Sequence, residues 1–291
     1  MTTTSTAPKA PSPTLPTRRT TDPVLAAGPA RPRPASRRPS AWTYVRIETL
    51  VTLRRADTVF FTIIMPLGMY LLFGQMSEFE TTSVGHGNIT ASIMVNMSTY
   101  SAAIAATTAA ASAAVEQAGG WGRQIALTAG GMRTYATARL ISAVLVALCP
   151  LVLIFSAGAL TGAVIDSPLR WAACFLICLG ATLPFAVFGL AAGLWLPSNA
   201  AAGVAGASIS VFGFLGNLFM PLSGFLFTLA HYTPLYGPGS LAVRPVQGDK
   251  VATMTGVVEE PVWYGLANLA AWTLVFALMC LAARRRSTLR R

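Results

Sequence analysis

Cys174 and Cys178 stand four residues apart, on one face of any helix that contains them, and thiolates at that spacing could hold a soft metal. A metal site needs further donors, and the two histidines, His86 and His231, fall in segments outside the apolar run that carries the thiols. The pair is therefore read as small buried hydrophobes. Cys149 and Cys280 likewise sit inside apolar runs, so no disulfide framework is implied. Nucleotide chemistry has no foothold either. A G-x-x-x-x-G-K-[ST] phosphate loop is absent, and neither lysine, Lys9 or Lys250, follows anything like one. No H-E-x-x-H motif or Cys/His zinc spacing occurs, and no histidine accompanies a Ser or Cys nucleophile, so the chain is not expected to be an enzyme and should carry no cofactor or metal of its own. Proton-coupled transport needs titratable stations deep in the membrane. Asp57, Glu116, Arg139, Asp166 and Arg170 all stand at or near the ends of uncharged runs, so energy for any transport should come from a partner.

The elements that hold these residues follow from composition. Of 291 residues, 54% are hydrophobic and only 11% are charged, against about 25% charged in soluble domains. Uncharged runs at 58–77, 87–115, 140–165 and 261–283 each have the length of a spanning helix. From Trp171 to Val243 no Asp, Glu, Lys or Arg occurs, and Pro197-Ser198-Asn199 divides that stretch into 171–196 and about 200–228. The expected fold is all-α, a polytopic membrane protein of six transmembrane helices. Net charge is +11, concentrated at the two ends: Lys9, Arg18, Arg19, Arg31, Arg33, Arg37 and Arg38 at one, Arg284, Arg285, Arg286, Arg290 and Arg291 at the other. Arg123, Arg133 and Arg139 join them in loop 116–139, whereas loop 75–90 holds Glu78 and Glu80 without a Lys or Arg. The positive-inside rule then places both termini and loop 116–139 in the cytoplasm. Basic charge so distributed reads as topology, not nucleic-acid binding.

Four segments follow. Residues 1–40 contain nine prolines and almost no large apolar residue, and are expected to be a disordered basic tail, either a solvated topogenic extension or a weak anchor to anionic headgroups. Residues 41–56 place Ile47, Leu50 and Val51 at helical spacing among Arg46, Glu48, Arg54 and Arg55, as an amphipathic helix in the cytoplasmic interface would. Residues 57–284 form the six-span domain, and 285–291 a basic tail. Within the spans, Pro66 requires a neighbour to satisfy the backbone carbonyl it frees. Ala102, Ala106, Ala110 and Ala114, and Gly189-x-x-x-Gly193, offer small faces for close helix packing, although an alanine-rich chain produces such spacing without that purpose. The fifth apolar stretch is broken by Asn217, Pro221, Gly224, Pro234 and Gly237, which predicts a short re-entrant or interfacial hairpin at the outer face.

Loop 116–139 reads EQAGGWGRQIALTAGGMRTYATAR. Glycine pairs at 119–120 and 130–131 bracket a short helix whose Trp121, Ile125 and Leu127 lie beside Arg123 and Gln124. Such a helix suits contact with a cytoplasmic motor, while a headgroup-anchored loop is the plainer alternative. On Glu116, Gly120, Trp121, Arg123, Leu127 and Thr128, with the amphipathic segment before the first span and the proline-broken outer end of the fifth, the chain resembles the permease subunits of ABC type-2 exporters over roughly residues 41–285. Gln117-Ala118 departs from the more charged sequence many relatives carry there. The resemblance implies a multi-pass permease of the bacterial plasma membrane that pairs as a homodimer, or as a heterodimer with a related permease. It also implies a cytoplasmic ABC ATPase subunit that holds the ATP and Mg and docks on loop 116–139, and drug- or antibiotic-type efflux of an amphipathic or lipid-like substrate between the protomers. Stand-alone secondary transport, a channel-like protein, or a non-transporting assembly or sensor subunit are the alternatives.

Overall fold

A computed structural model describes residues 41–74, 82–116, 131–196, 198 and 200–289, which belong to one unit spanning Pro39–Arg291. Helix α1 (Ala41–Leu53) leads through a turn into a continuous helical stretch made of α2 (Ala56–Val59), a π-helical segment (Phe60–Ile64) and α3 (Met65–Gly74). Helices α4 (Ile89–Glu116), α5 (Gly131–Leu160), α6 (Pro168–Gly180), α7 (Thr182–Trp195), α8 (Ala201–Leu215), α9 (Gly224–Ala230), α10 (Tyr236–Gln247) and α11 (Val262–Leu289) follow. Among the described residues, four helical stretches are long and apolar enough to cross a membrane: Ile89–Glu116, Ile141–Leu160, Pro168–Trp195 and Val262–Ala283. Phe60–Gly74 and Ala201–Leu215 are shorter apolar helices. They fall where the first and fifth spans were expected.

Helix α4 is the axis of the bundle. It packs against α3, α5, α6, α7, α8 and α10, and its apolar window is 83% buried. Its sequence explains how: a helix of Ala, Ser and Thr lets neighbours approach to backbone distance where lipid offers no hydrophobic incentive to associate. Gly189 and Gly193 of α7 realise the small face the spacing suggested. A Cβ on Gly189 would lie 2.1 Å from the Thr107 carbonyl oxygen, and one on Gly193 would lie 2.4 Å from that of Ala111. Cys174 and Cys178 of α6 are fully buried, with the Cys178 Sγ 3.3 Å from the Thr99 hydroxyl of α4.

Prolines inside the spans are answered locally. Pro66 has no N–H to give the Thr62 carbonyl four residues earlier, and the Ser101 hydroxyl of α4 donates to that carbonyl instead. The π-helical segment at Phe60–Ile64 lies just ahead of this proline. Pro184 similarly coincides with a break in the fourth span, where α6 ends at Gly180 and α7 begins at Thr182. The Thr182 hydroxyl there donates to the Leu179 carbonyl at 2.6 Å.

The end of the bundle away from α1 is closed by short elements. Strands β1 (Ser83–Val84) and β2 (Gly87–Asn88) form a hairpin, and Gly87 also bridges to Ile165. Asn88 caps α4 by accepting from the Ala91 N–H at 2.9 Å, accepts from Val164 N–H at 3.0 Å, and donates to the Gly162 carbonyl at 2.7 Å. Helices α9 and α10 occupy the stretch where a hairpin of short helices was expected. A second β-hairpin, β3 (Lys250–Thr253) with β4 (Gly256–Glu259), follows them. The described residues are mostly helical, as the all-α expectation had it, with these two short hairpins in Gly- and Thr-containing connections too short for a hydrophobic period to register. In the fifth expected span, α8 stops at Leu215, well before residue 228, and just beyond it Asn217 adopts φ 63° and its side-chain oxygen accepts from the Leu222 N–H at 2.6 Å. The tail 1–40 and residues 290–291 lie outside the described residues.

Candidate functional site

At the α1 end of the bundle the helices enclose a cavity of about 630 Å3. Thr58, Phe61 and Thr62 contribute from the start of the first span, including its π-helical segment; Ile104, Thr108 and Ser112 from α4; Ser142 and Val146 from α5; Val187 and Leu190 from α7; and Gly203, Gly206 and Ser210 from α8. From Ile104 to Glu116 its wall follows α4 for about 18 Å at 1.5 Å per residue, roughly half the hydrocarbon thickness of a bilayer.

Most of the wall is apolar, and several of its hydroxyls bond within the protein. Thr62 donates to the Thr58 carbonyl at 2.6 Å, Thr108 to the Ile104 carbonyl at 2.9 Å, and Ser142 to the Val45 carbonyl at 3.4 Å. Behind its inner end, a turn before Ile104, stands Tyr100, fully buried, whose hydroxyl lies 2.8 Å from that of the wall residue Ser210 and whose ring meets Phe219 edge-on at 4.7 Å. At the other limit the cavity adjoins a polar chamber of about 290 Å3 lined by Arg55, Ser112, Val115, Glu116 and Ala202. Arg55 is close enough to Glu116 for their charges to interact.

This places two of the residues singled out from sequence. Glu116, first of the proposed coupling residues, ends α4 in the polar chamber, and Arg55, assigned to the interfacial segment, faces it across that chamber. The other coupling residues, Gly120, Trp121, Arg123, Leu127 and Thr128, lie outside the described residues. Helix α1 presents Ile47 and Leu50 outward, exposed at 58% and 49%, while Val51 lines the mouth side of the cavity and Val45 turns inward against α5. Arg54 follows α1 at the surface and takes no part in the cavity. The hydroxyl-bearing wall was overlooked, although Thr58/Thr62 and Thr108/Ser112 are pairs four residues apart in otherwise apolar segments.

A second polar cluster, also missed, occupies the opposite end. His231 has an acceptor at each ring nitrogen: Nδ1 lies 2.8 Å from the Phe227 carbonyl, and Nε2 lies 2.8 Å from Glu260 Oε2. Both nitrogens can donate at once only in the imidazolium, so the geometry favours the charged ring. Glu260 is 4% exposed and also accepts from the Tyr236 hydroxyl and, at 3.3 Å, from Ser240. The Glu260 hydrogen bond holds the His231 pKa up, against the opposing effect of burial. Burial works against ionisation of Glu260, yet its hydrogen bonds from His231 and Tyr236 hold its carboxyl below the usual range. Burial, reinforced by Glu260, pushes the Tyr236 phenol up. Around the pair, Arg244 donates to the Glu260 backbone carbonyl and pairs with Asp249 at 3.0 Å. Asn268 of α11 donates to the carbonyls of His231 and Thr233 at 2.7 and 2.9 Å. The cluster therefore ties α9, α10 and the β3–β4 hairpin to the start of α11.

No family model matches the chain. Over 244 residues, 80% of this chain and 92% of the relative, it is 25% identical to a Bacillus subtilis (strain 168) protein named "Putative transport permease YvfS". The alignment therefore takes in most of the helical bundle, and the helices long and apolar enough to span a bilayer make the chain a multi-pass membrane protein.

Proposed function

We propose that this chain is the membrane-spanning subunit of an ATP-driven exporter of ABC type-2 character, with six spans, cytoplasmic termini and a separate ATPase that acts on loop 116–139. The observation that carries this reading is the cavity: it adjoins a polar chamber at the end where α4 brings Glu116, while Tyr100, bonded to the wall residue Ser210, stands beyond its inner end. The similarity to a protein named as a transport permease and the resemblance of the loop support the same assignment. A partner that hydrolyses ATP can shift the bundle between arrangements only through contacts that differ between them. The loop leaves α4, the helix that touches most of the others, so a push at Glu116 reaches the cavity wall directly. Two such chains, or one with a related permease, would complete the transporter in the bacterial plasma membrane.

Purified protein, alone and with a candidate ABC ATPase, tests the assignment. The chain alone should hydrolyse no ATP, and the Trp121→Ala/Arg123→Glu variant should lose its ATPase partner on copurification. A double variant that retains the partner would refute docking through this loop, and ion-gradient-driven transport by the pure chain would refute the ATP-driven assignment.

A further inference from the structure

Helix α9 is held at one end. At its start Gly224 takes φ 57° with nothing within 4 Å of where a Cβ would stand, and Ser223 makes no side-chain capping bond. Phe225, Leu226 and Leu229 are exposed. At its far end Asn268 and Trp272 of α11 donate to the backbone carbonyls of His231, Thr233 and Tyr232, bonds that do not depend on pH. The His231 ring adds a tie that does: it links the last turn of α9, through the Phe227 carbonyl, to Glu260 beyond β4.

The ionisable groups that face this ring are Glu260, Tyr236 at the head of α10 and Tyr264 in the first turn of α11; Arg244, paired with Asp249, reaches only the Glu260 backbone. The Tyr236 ring lies over the imidazole at 4.4 Å with a tilt of 38°, which favours a cation there, as does the C-terminal end of a helix. A quarter of the His231 side chain is exposed, so protons reach it from water. Its pKa is held up by Glu260, and the proton leaves as pH rises through that raised value. A neutral imidazole has one N–H and one lone pair. With the proton on Nε2, the Phe227 carbonyl loses its donor and α9 its cap. With the proton on Nδ1, the bond to Glu260 is lost, and the Tyr236 hydroxyl, 3.1 Å from Nε2, turns to the ring from the carboxylate. Neither tautomer keeps α9 both capped and tied. The break that precedes α9 carries Phe219, whose ring meets those of Tyr100 and Phe214 at 4.7 and 4.5 Å.

We infer that His231 is a proton-operated latch: its imidazolium fastens α9 to Glu260, and loss of the proton loosens α9 together with the broken segment that sets Phe219 against Tyr100. The transport reading supplies the purpose, an exit at the outer face that opens more readily as the medium turns alkaline. The latch itself belongs to the isolated chain.

Hydrogen exchange of the full chain in phosphatidylglycerol nanodiscs, read by mass spectrometry and corrected for the intrinsic pH dependence of amide exchange, tests it without an ATPase. Protection of residues 224–233 should fall about tenfold between about pH 6 and about pH 9, the scale of one charge-assisted hydrogen bond, while protection of α4 stays constant. His231→Arg, charged throughout, should remain protected at the alkaline end. His231→Gln should be equally loose at both ends. Glu260→Gln should move the wild-type midpoint to lower pH, a shift that a merely structural role does not produce. Should His231→Gln lose α4 protection as well, the Arg and Glu260 variants decide. Wild-type protection that does not change with pH, or the same fall in His231→Arg, would overturn the latch. A working latch in a chain that recruits no ATPase would refute the transport reading alone, and a pH-independent α9 in a chain that does recruit one would refute the latch alone.

Discussion

At the scale of single residues, His231 and Glu260 make a pH-dependent clasp. The His231 pKa is raised above 6.5 in the folded protein, so its contribution is fully present below that value and is lost as pH rises through the folded one. The Glu260 pKa is lowered below 4.5, so its contribution is present above that value and is lost as pH falls through the folded one. The clasp is therefore strongest between about pH 4.5 and 6.5. Thermal unfolding of the solubilised protein should show a midpoint that declines from pH 6.5 toward pH 9, and His231→Gln should flatten that decline. Glu260→Ala leaves a partly buried imidazole without its partner and should cost about 2–3 kcal/mol at pH 6. Ser101→Ala strips the Thr62 carbonyl of its donor, and a buried carbonyl left so costs about 1–3 kcal/mol. Denaturant titration in mixed micelles would measure both losses.

Among elements, the seam between α4 and α7 governs assembly. Gly189 and Gly193 sit against the α4 backbone, so Gly189→Leu or Gly193→Leu must push the two helices apart. Overpacking of this kind costs about 1–3 kcal/mol per site in well-packed interiors. The double variant is expected to lose most of its monodisperse peak in size-exclusion chromatography. Gly180→Ala, where a Cβ meets nothing within 4 Å, should leave that peak intact and serves as the control. Gly180 and the Gly189/Gly193 pair differ in what surrounds them, a distinction invisible in a composition rich in Gly and Ala.

For the whole molecule, the arrangement joins a cavity at one end to closure at the other, with α4 passing between them. Tyr100 stands at the junction: it links α4 to α8 through Ser210 and to the fifth segment's broken end through Phe219. Tyr100→Ala removes that floor and should let a water-soluble thiol reagent added from the outer side label an Ala207→Cys probe about tenfold faster, if removal of the ring lowers the access barrier by about 1.4 kcal/mol. Unchanged labelling would show that the floor is made by other groups.

Spans, basic ends and the absence of a nucleotide loop were legible in the chain alone, because hydropathy and charge act on each segment separately and lipid imposes a length on every helix that crosses it. Pro66 and the breaks after Leu215 were also visible, since a proline or a left-handed Asn acts within a turn of its own position. What only the tertiary structure decided is which helix lies at the centre, which hydroxyl answers Pro66, and which distant groups meet. Arg55 and Glu116 share a chamber across 61 positions of chain, and His231 and Glu260 pair across 29. Such partners are chosen by how the spans pack, and in lipid that packing depends on small residues whose close approaches leave no hydrophobic pattern to read.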